Sequence, residues 1–145
     1  MRARAAIAAG LVLVLAGTSL VSAATLDYDF YKAKVQPIFL AKRPGHAPCV
    51  MCHAEANNML RLEKLPAGQS AWTEEQTRKN FDTVSKIVQA ADDPLTAKLL
   101  THPLAPEAGG DAFHSGGRQF ADKNDPNYKA IAAWVKGATL APAKK

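Results

Sequence analysis

The stretch Cys49-Val50-Met51-Cys52-His53 holds the only two cysteines of the chain, three positions apart, with an imidazole directly after the second. Four chemistries use such a set: a disulfide, a redox dithiol, a zinc site and a covalently attached haem. A Cys49–Cys52 disulfide would close a small loop and leave His53 without a role. A thioredoxin-like dithiol sits between a strand and a helix of a βαβ unit, whereas here the motif follows the loop Arg43-Pro44-Gly45-His46-Ala47-Pro48. Structural zinc takes four Cys or His ligands, commonly as two spaced pairs. The second pair is missing, because His102 and His114 stand twelve residues apart. Haem employs every residue of the motif. Two thiols add across the two vinyl groups of a porphyrin, the two-residue spacer lets both reach one ring edge, and the adjacent histidine supplies the proximal nitrogen. C-x-x-C-H is the attachment pattern of c-type haem. One covalent haem c is therefore expected on Cys49 and Cys52, with its iron on His53. Val50 and Met51 are spacers.

The elements that must position this motif are read from the remaining residues. Residues 1 to 24 have a basic start at Arg2 and Arg4, an apolar centre around Leu11–Leu15 and a small-residue close at Val21-Ser22-Ala23-Ala24. That is the layout of a secretory signal peptide, and its apolar run is short for a span. Export places the chain in a periplasmic or other extracytoplasmic compartment, and no membrane span is expected in the mature chain. Residues 25–145 then form one domain with a formal charge of about +3, since the leader removes two of the 18 basic residues. So mild a charge, with no Arg-rich block, argues against nucleic acid.

Apolar spacing predicts a helix over 27–42, with Tyr31, Val35, Ile38 and Phe39 on one face and Pro37 as its weak point. A second helix is predicted over 73–90, capped by Thr73 and Gln76 and burying Phe81, Val84 and Val88. Asp93-Pro94 opens a short helix through about Thr101. Residues 103–124, with two prolines and four glycines, read as a long irregular stretch of functional character. Asp125-Pro126 opens the last helix, which ends near Lys136 with Gly137 beyond it. The first and last helices are expected to pack through Val35 or Phe39 against Ile131 or Trp134. No strand pattern appears, and the fold class is all-α.

An N-terminal helix, CVMCH in a loop, intermediate helices and a C-terminal helix with aromatics resemble a small monohaem c-type cytochrome. More narrowly, VQPIF before the motif and HPLAPEAGGDAFHSGG after it resemble cytochrome c-like domains of the planctomycete and acidobacterial type, over roughly residues 27 to 137. The resemblance implies helices packed around one haem and a role in electron transfer. It also implies a methionine as sixth iron ligand, and here the chain departs from the pattern. Beyond the leader only Met51 and Met59 remain, one inside the motif and the other six residues past His53. His114, in Phe113-His114-Ser115-Gly116-Gly117, occupies the place of the methionine-bearing loop and is the expected sixth ligand. His102 is the alternative, and an open five-coordinate iron the third case. His46 is expected to be an ordinary loop residue.

Exchange of a thioether for an imidazole favours ferric iron, because Met/His ligation is the arrangement that raises the potential. The expectation is thus an exported, bis-histidine electron carrier of relatively low potential, meeting redox proteins through transient contacts. The alternatives are a haem-based sensor of gas or another ligand, and a relay subunit of a larger redox complex. No catalytic constellation is present, so the chain is not expected to be an enzyme.

Overall fold

The computed structural model describes residues 25–141. The expected signal peptide over 1–24 lies outside the described residues. Helix is the only regular secondary structure among them, and two isolated bridges, Arg43 with His46 and Leu104 with Phe120, are the only pairings of β type. The all-α class is therefore observed.

The first element, α1, joins α-helical turns at Tyr28–Phe30 and Gln36–Leu40 through a π-helical turn at Tyr31–Val35. Asp27 caps it by accepting from the Phe30 N–H. Pro37 has no N–H to donate and its ring crowds the preceding turn. The wider π turn just upstream absorbs that conflict, and Pro37 falls in the first turn of the following α segment, where a missing donor costs little. The predicted face is retained: Tyr31, Val35, Ile38 and Phe39 are all buried.

The motif itself forms a helix, α2 at Cys49–His53, where the sequence predicts a loop. Pro48 stands at its N-cap with φ −56°, and the Ala54 N–H closes the turn on the Val50 carbonyl at 2.9 Å. Proline pre-sets the backbone angle that this turn needs. The loop before it is tied to the far end of the chain by an ion pair between Arg43 and Asp125.

Helix α3 spans Glu74–Gln89 and carries the expected capping box, with Thr73 and Gln76 bonded reciprocally. Val84 and Val88 are buried and Phe81 partly so. The predicted helix after Asp93 breaks in two. A 3-10 turn at Pro94–Thr96 ends where Ala97 turns extended, with ψ 142°, and α4 follows at Lys98–Thr101. Ala97 is 1% exposed, so packing sets its conformation against its own helical preference.

Residues 103–124 are more ordered than their composition suggests. Phe120 donates to Pro103 O at 3.1 Å and accepts from the Ala105 N–H at 2.9 Å, and both Leu104 and Phe120 are buried. Gly110 lies so close to this segment that a Cβ there would stand 2.0 Å from the Leu104 carbonyl oxygen. The last helix, α5 at Pro126–Val135, is capped by Asp125, which accepts from the N–H groups of Asn127 and Tyr128. Gly137 beyond it takes φ +90°, the left-handed turn that ends helices.

Trp134 joins the two ends of the fold. It is fully buried, its Nε1 donates to Asp27 O at 2.8 Å, and its ring lies 5.4 Å from that of Tyr31. Tyr31 thus meets Trp134, while Phe39 turns to the wall of the cavity described next. Among the described residues no helix is long and apolar enough to cross a membrane.

Candidate cofactor site

Positions three and four apart on a helix share one face. In α2 this places Cys49, Cys52 and His53 together, and all three line one cavity of about 550 Å³. The size lies within the range of cofactor pockets. Ile38 and Phe39 of α1, Leu99 of α4 and Ile131 of α5 supply apolar wall, and His102 and His114 enter from the long segment and its start. Both cysteines carry free thiols, Cys49 half-buried and Cys52 exposed. Burial pushes the Cys49 thiol above its usual pKa.

His53 ends α2, and its Nδ1 lies 2.8 Å from Leu60 O. A carbonyl only accepts, so Nδ1 carries the proton and Nε2 keeps its lone pair. His114 repeats the arrangement, with Nδ1 2.6 Å from Gly117 O. The two rings are 6.3 Å apart between centroids and 17° from parallel. Two imidazoles opposed across one ion through bonds of about 2 Å would have ring centres roughly 6.4 Å apart, and the centroid separation of this stacked pair is close to that. Burial lowers the His53 pKa, its bond to Leu60 O opposes this, and the neighbouring His114 and His102 add smaller lowering effects. The neutral form, which is the ligating form, is favoured.

The glycines of the His114 loop serve this histidine directly. Gly117 takes φ +78° and its N–H returns to His114 O at 2.9 Å, closing a tight turn. A Cβ on Gly116 would approach the His114 ring to 3.0 Å. Gly116 and Gly117 thus accommodate the His114 imidazole.

His102 caps α4 and lines the same cavity. Its Nδ1 lies 2.9 Å from Asp111 Oδ2, and its ring packs edge-on to His114 at 4.8 Å. The spacing of His102 and Asp111 in the sequence carries no motif, so this pairing was not legible. His46 stays outside the cavity, in the Arg43–His46 turn beside Gly117. Met59 lines the cavity but is 68% exposed, and Phe113, beside His114, is 73% exposed. Phe113 lies between Ala112 and His114 in a loop whose direction is set by the His114 turn, so its side chain turns outward.

Among the described residues no group of three or more His, Cys, Asp or Glu is gathered to hold a bare metal ion. Comparison with family models, with curated proteins and with solved structures finds no match.

Proposed function

We propose that the chain is an exported monohaem c-type cytochrome that carries single electrons between redox proteins, with its iron held by His53 and His114. The observation that carries this reading is the pair of imidazoles 6.3 Å apart and nearly parallel, in a cavity also lined by both cysteines of the C-x-x-C-H motif. A metal held there by two imidazoles needs its other ligands from elsewhere, and a porphyrin brings four nitrogens. The apolar walls suit its faces. Haem bound in this cavity would supply an iron that cycles between ferric and ferrous states.

The chain's own part is attachment, ligation and exclusion of water. Cys49 and Cys52 would hold the haem through two thioethers, each formed by addition of a thiol S–H across one vinyl group with no net oxidation. Leu60 and Gly117 hold the two Nδ1–H groups, which fixes both tautomers and makes both rings better donors. Two imidazole ligands favour the ferric state relative to His/Met ligation. Export rests on the leader sequence, and transient redox partners fit a carrier.

The test is expression with a haem c maturation system. The expected product carries haem that survives acid–acetone extraction, gives a two-thioether pyridine haemochrome spectrum, and is low-spin in its ferric state. A purified chain without covalent haem, or with high-spin iron, would rule the reading out.

A further inference from the structure

We infer that His102, backed by Asp111, is a reserve axial ligand that takes the iron when His114 leaves it. This rests on the haem reading above. Both rings line the same cavity and pack edge to face with centroids 4.8 Å apart, less than one turn of helix, about 5.4 Å. Each has its Nδ1 occupied, His102 by Asp111 Oδ2 at 2.9 Å and His114 by Gly117 O at 2.6 Å. Each therefore keeps Nε2 free as a donor to metal. The cavity is thus lined by two neighbouring imidazoles, each with Nδ1 engaged.

Their supports differ. His114 hangs on a four-residue turn whose anchor is a backbone carbonyl of Gly117. His102 sits at the end of α4, its own N–H bonded to Lys98 O at 3.1 Å. Its partner Asp111 is fixed from two further sides: Lys98 Nζ reaches the same Oδ2 at 2.7 Å, and the Asp111 N–H donates to Thr101 O at 2.9 Å. A carboxylate behind an imidazole raises its basicity as a ligand more than a carbonyl does, since it carries a full charge. His102 is also 44% exposed at its side chain, so it gives up little burial on moving inward. The near ligand, His114, has the spacing to His53 that an ion requires. The outer ligand has the stronger support. Exchange between them would hold the iron six-coordinate while moving its potential downward.

The experiment is electron paramagnetic resonance of the ferric holoprotein for wild type, His114→Ala, His114→Gln, His102→Ala and the double variant His102→Ala/His114→Ala. His102→Ala is expected to stay low-spin, with g-values altered slightly by loss of the ring that packs edge-on against His114. Both single His114 variants are expected to stay predominantly low-spin with shifted g-values. The double variant is expected to become high-spin. Conversion of His114→Ala and His114→Gln to high spin, with haem attachment and helix content retained, would overturn the inference and leave the haem reading intact. A double variant that remains low-spin would also overturn it, since another group would then be the reserve. A wild type that lacks low-spin haem would overturn both, and its own spectrum tells that case apart.

Discussion

His53 and His114, 61 positions apart in the chain, present near-parallel imidazoles 6.3 Å apart, each with Nδ1 held by a backbone carbonyl. Neither anchor is a side chain, so ordinary substitutions at Leu60 leave the accepting group in place, whereas Gly117 holds its carbonyl through a left-handed φ of +78° that other residues rarely adopt. The ligand at position 114 should then set the potential. His114→Met, made with His102→Ala to remove the second imidazole, should raise the midpoint by on the order of 0.1–0.2 V, a fraction of the ~0.8 V that axial ligands span. Spectroelectrochemical titration of the two holoproteins measures it. An unchanged or lower midpoint would argue against His114 as a ligand.

Each cysteine is expected to carry one thioether. Cys49→Ala and Cys52→Ala should each leave one vinyl conjugated with the ring, moving the pyridine haemochrome band to longer wavelength. The double variant should lose covalent attachment altogether. The exposed Cys52 and the half-buried Cys49 differ in access, so the yield of attached haem is expected to differ between the single variants. Identical two-thioether spectra in either single variant would contradict the assignment.

Gly110 and Gly109 separate steric crowding from backbone strain. A Cβ at Gly110 would meet the Leu104 carbonyl oxygen at 2.0 Å and the Ala105 oxygen at 2.9 Å, and backbone cannot rotate away. Gly109 has only Lys123 Nζ nearby, at 3.6 Å, but takes φ +92°. Gly110→Ala should therefore cost about 3 kcal/mol, and Gly109→Ala about 1 kcal/mol from the left-handed backbone. Chemical denaturation of both variants would show the order. Equal losses would mean the segment 104–110 relaxes freely.

What was legible in the sequence was local. Thr73 with Gln76, and Asp125 with Pro126, announce helix starts because a cap is made within three residues of itself. The cysteine motif is read in the same way, and its five residues need no knowledge of the rest. The extended Ala97 was not legible, since burial decides it, and Pro37 marked a weak point without revealing the π turn that answers it. Nor was Asp111 legible: its bond to His102 spans nine residues across the bend from α4 into the long segment. His114 was placed by its loop, but its anchor is a carbonyl, and a carbonyl has no residue type to reveal it.

Asp111 should give stability an acid-side dependence. Lys98, first, and then His102 hold its carboxyl below the usual range by hydrogen bonding. A lowered folded pKa stabilises the fold above the unfolded value, about 3.9, and that contribution disappears as pH falls through the folded one. The stability gap between wild type and Asp111→Asn should thus shrink as pH falls below about 4. The Asp111 side chain is 24% exposed and its partner Lys98 lies at the surface, so screening keeps the gap small. Urea denaturation across this range follows it. A gap that widens below about 4 would give the opposite sign and refute the pairing.

Carbon monoxide separates a carrier from a sensor. If the iron is held as proposed, two imidazoles would leave the reduced iron no open position, and His102, with its ring 4.8 Å from His114, would close a vacancy left by His114. The reduced wild-type holoprotein should therefore show little spectral change at moderate gas. His114→Ala should bind slowly, because the gas must displace His102. The double variant His102→Ala/His114→Ala should bind at once, its iron held by His53 alone. This order follows from the number of distal imidazoles, so a single titration series reads it. Rapid, tight binding by the wild type would mean that neither histidine closes the site. The cavity would then belong to a protein that takes up a ligand, and electron carriage would give way to sensing.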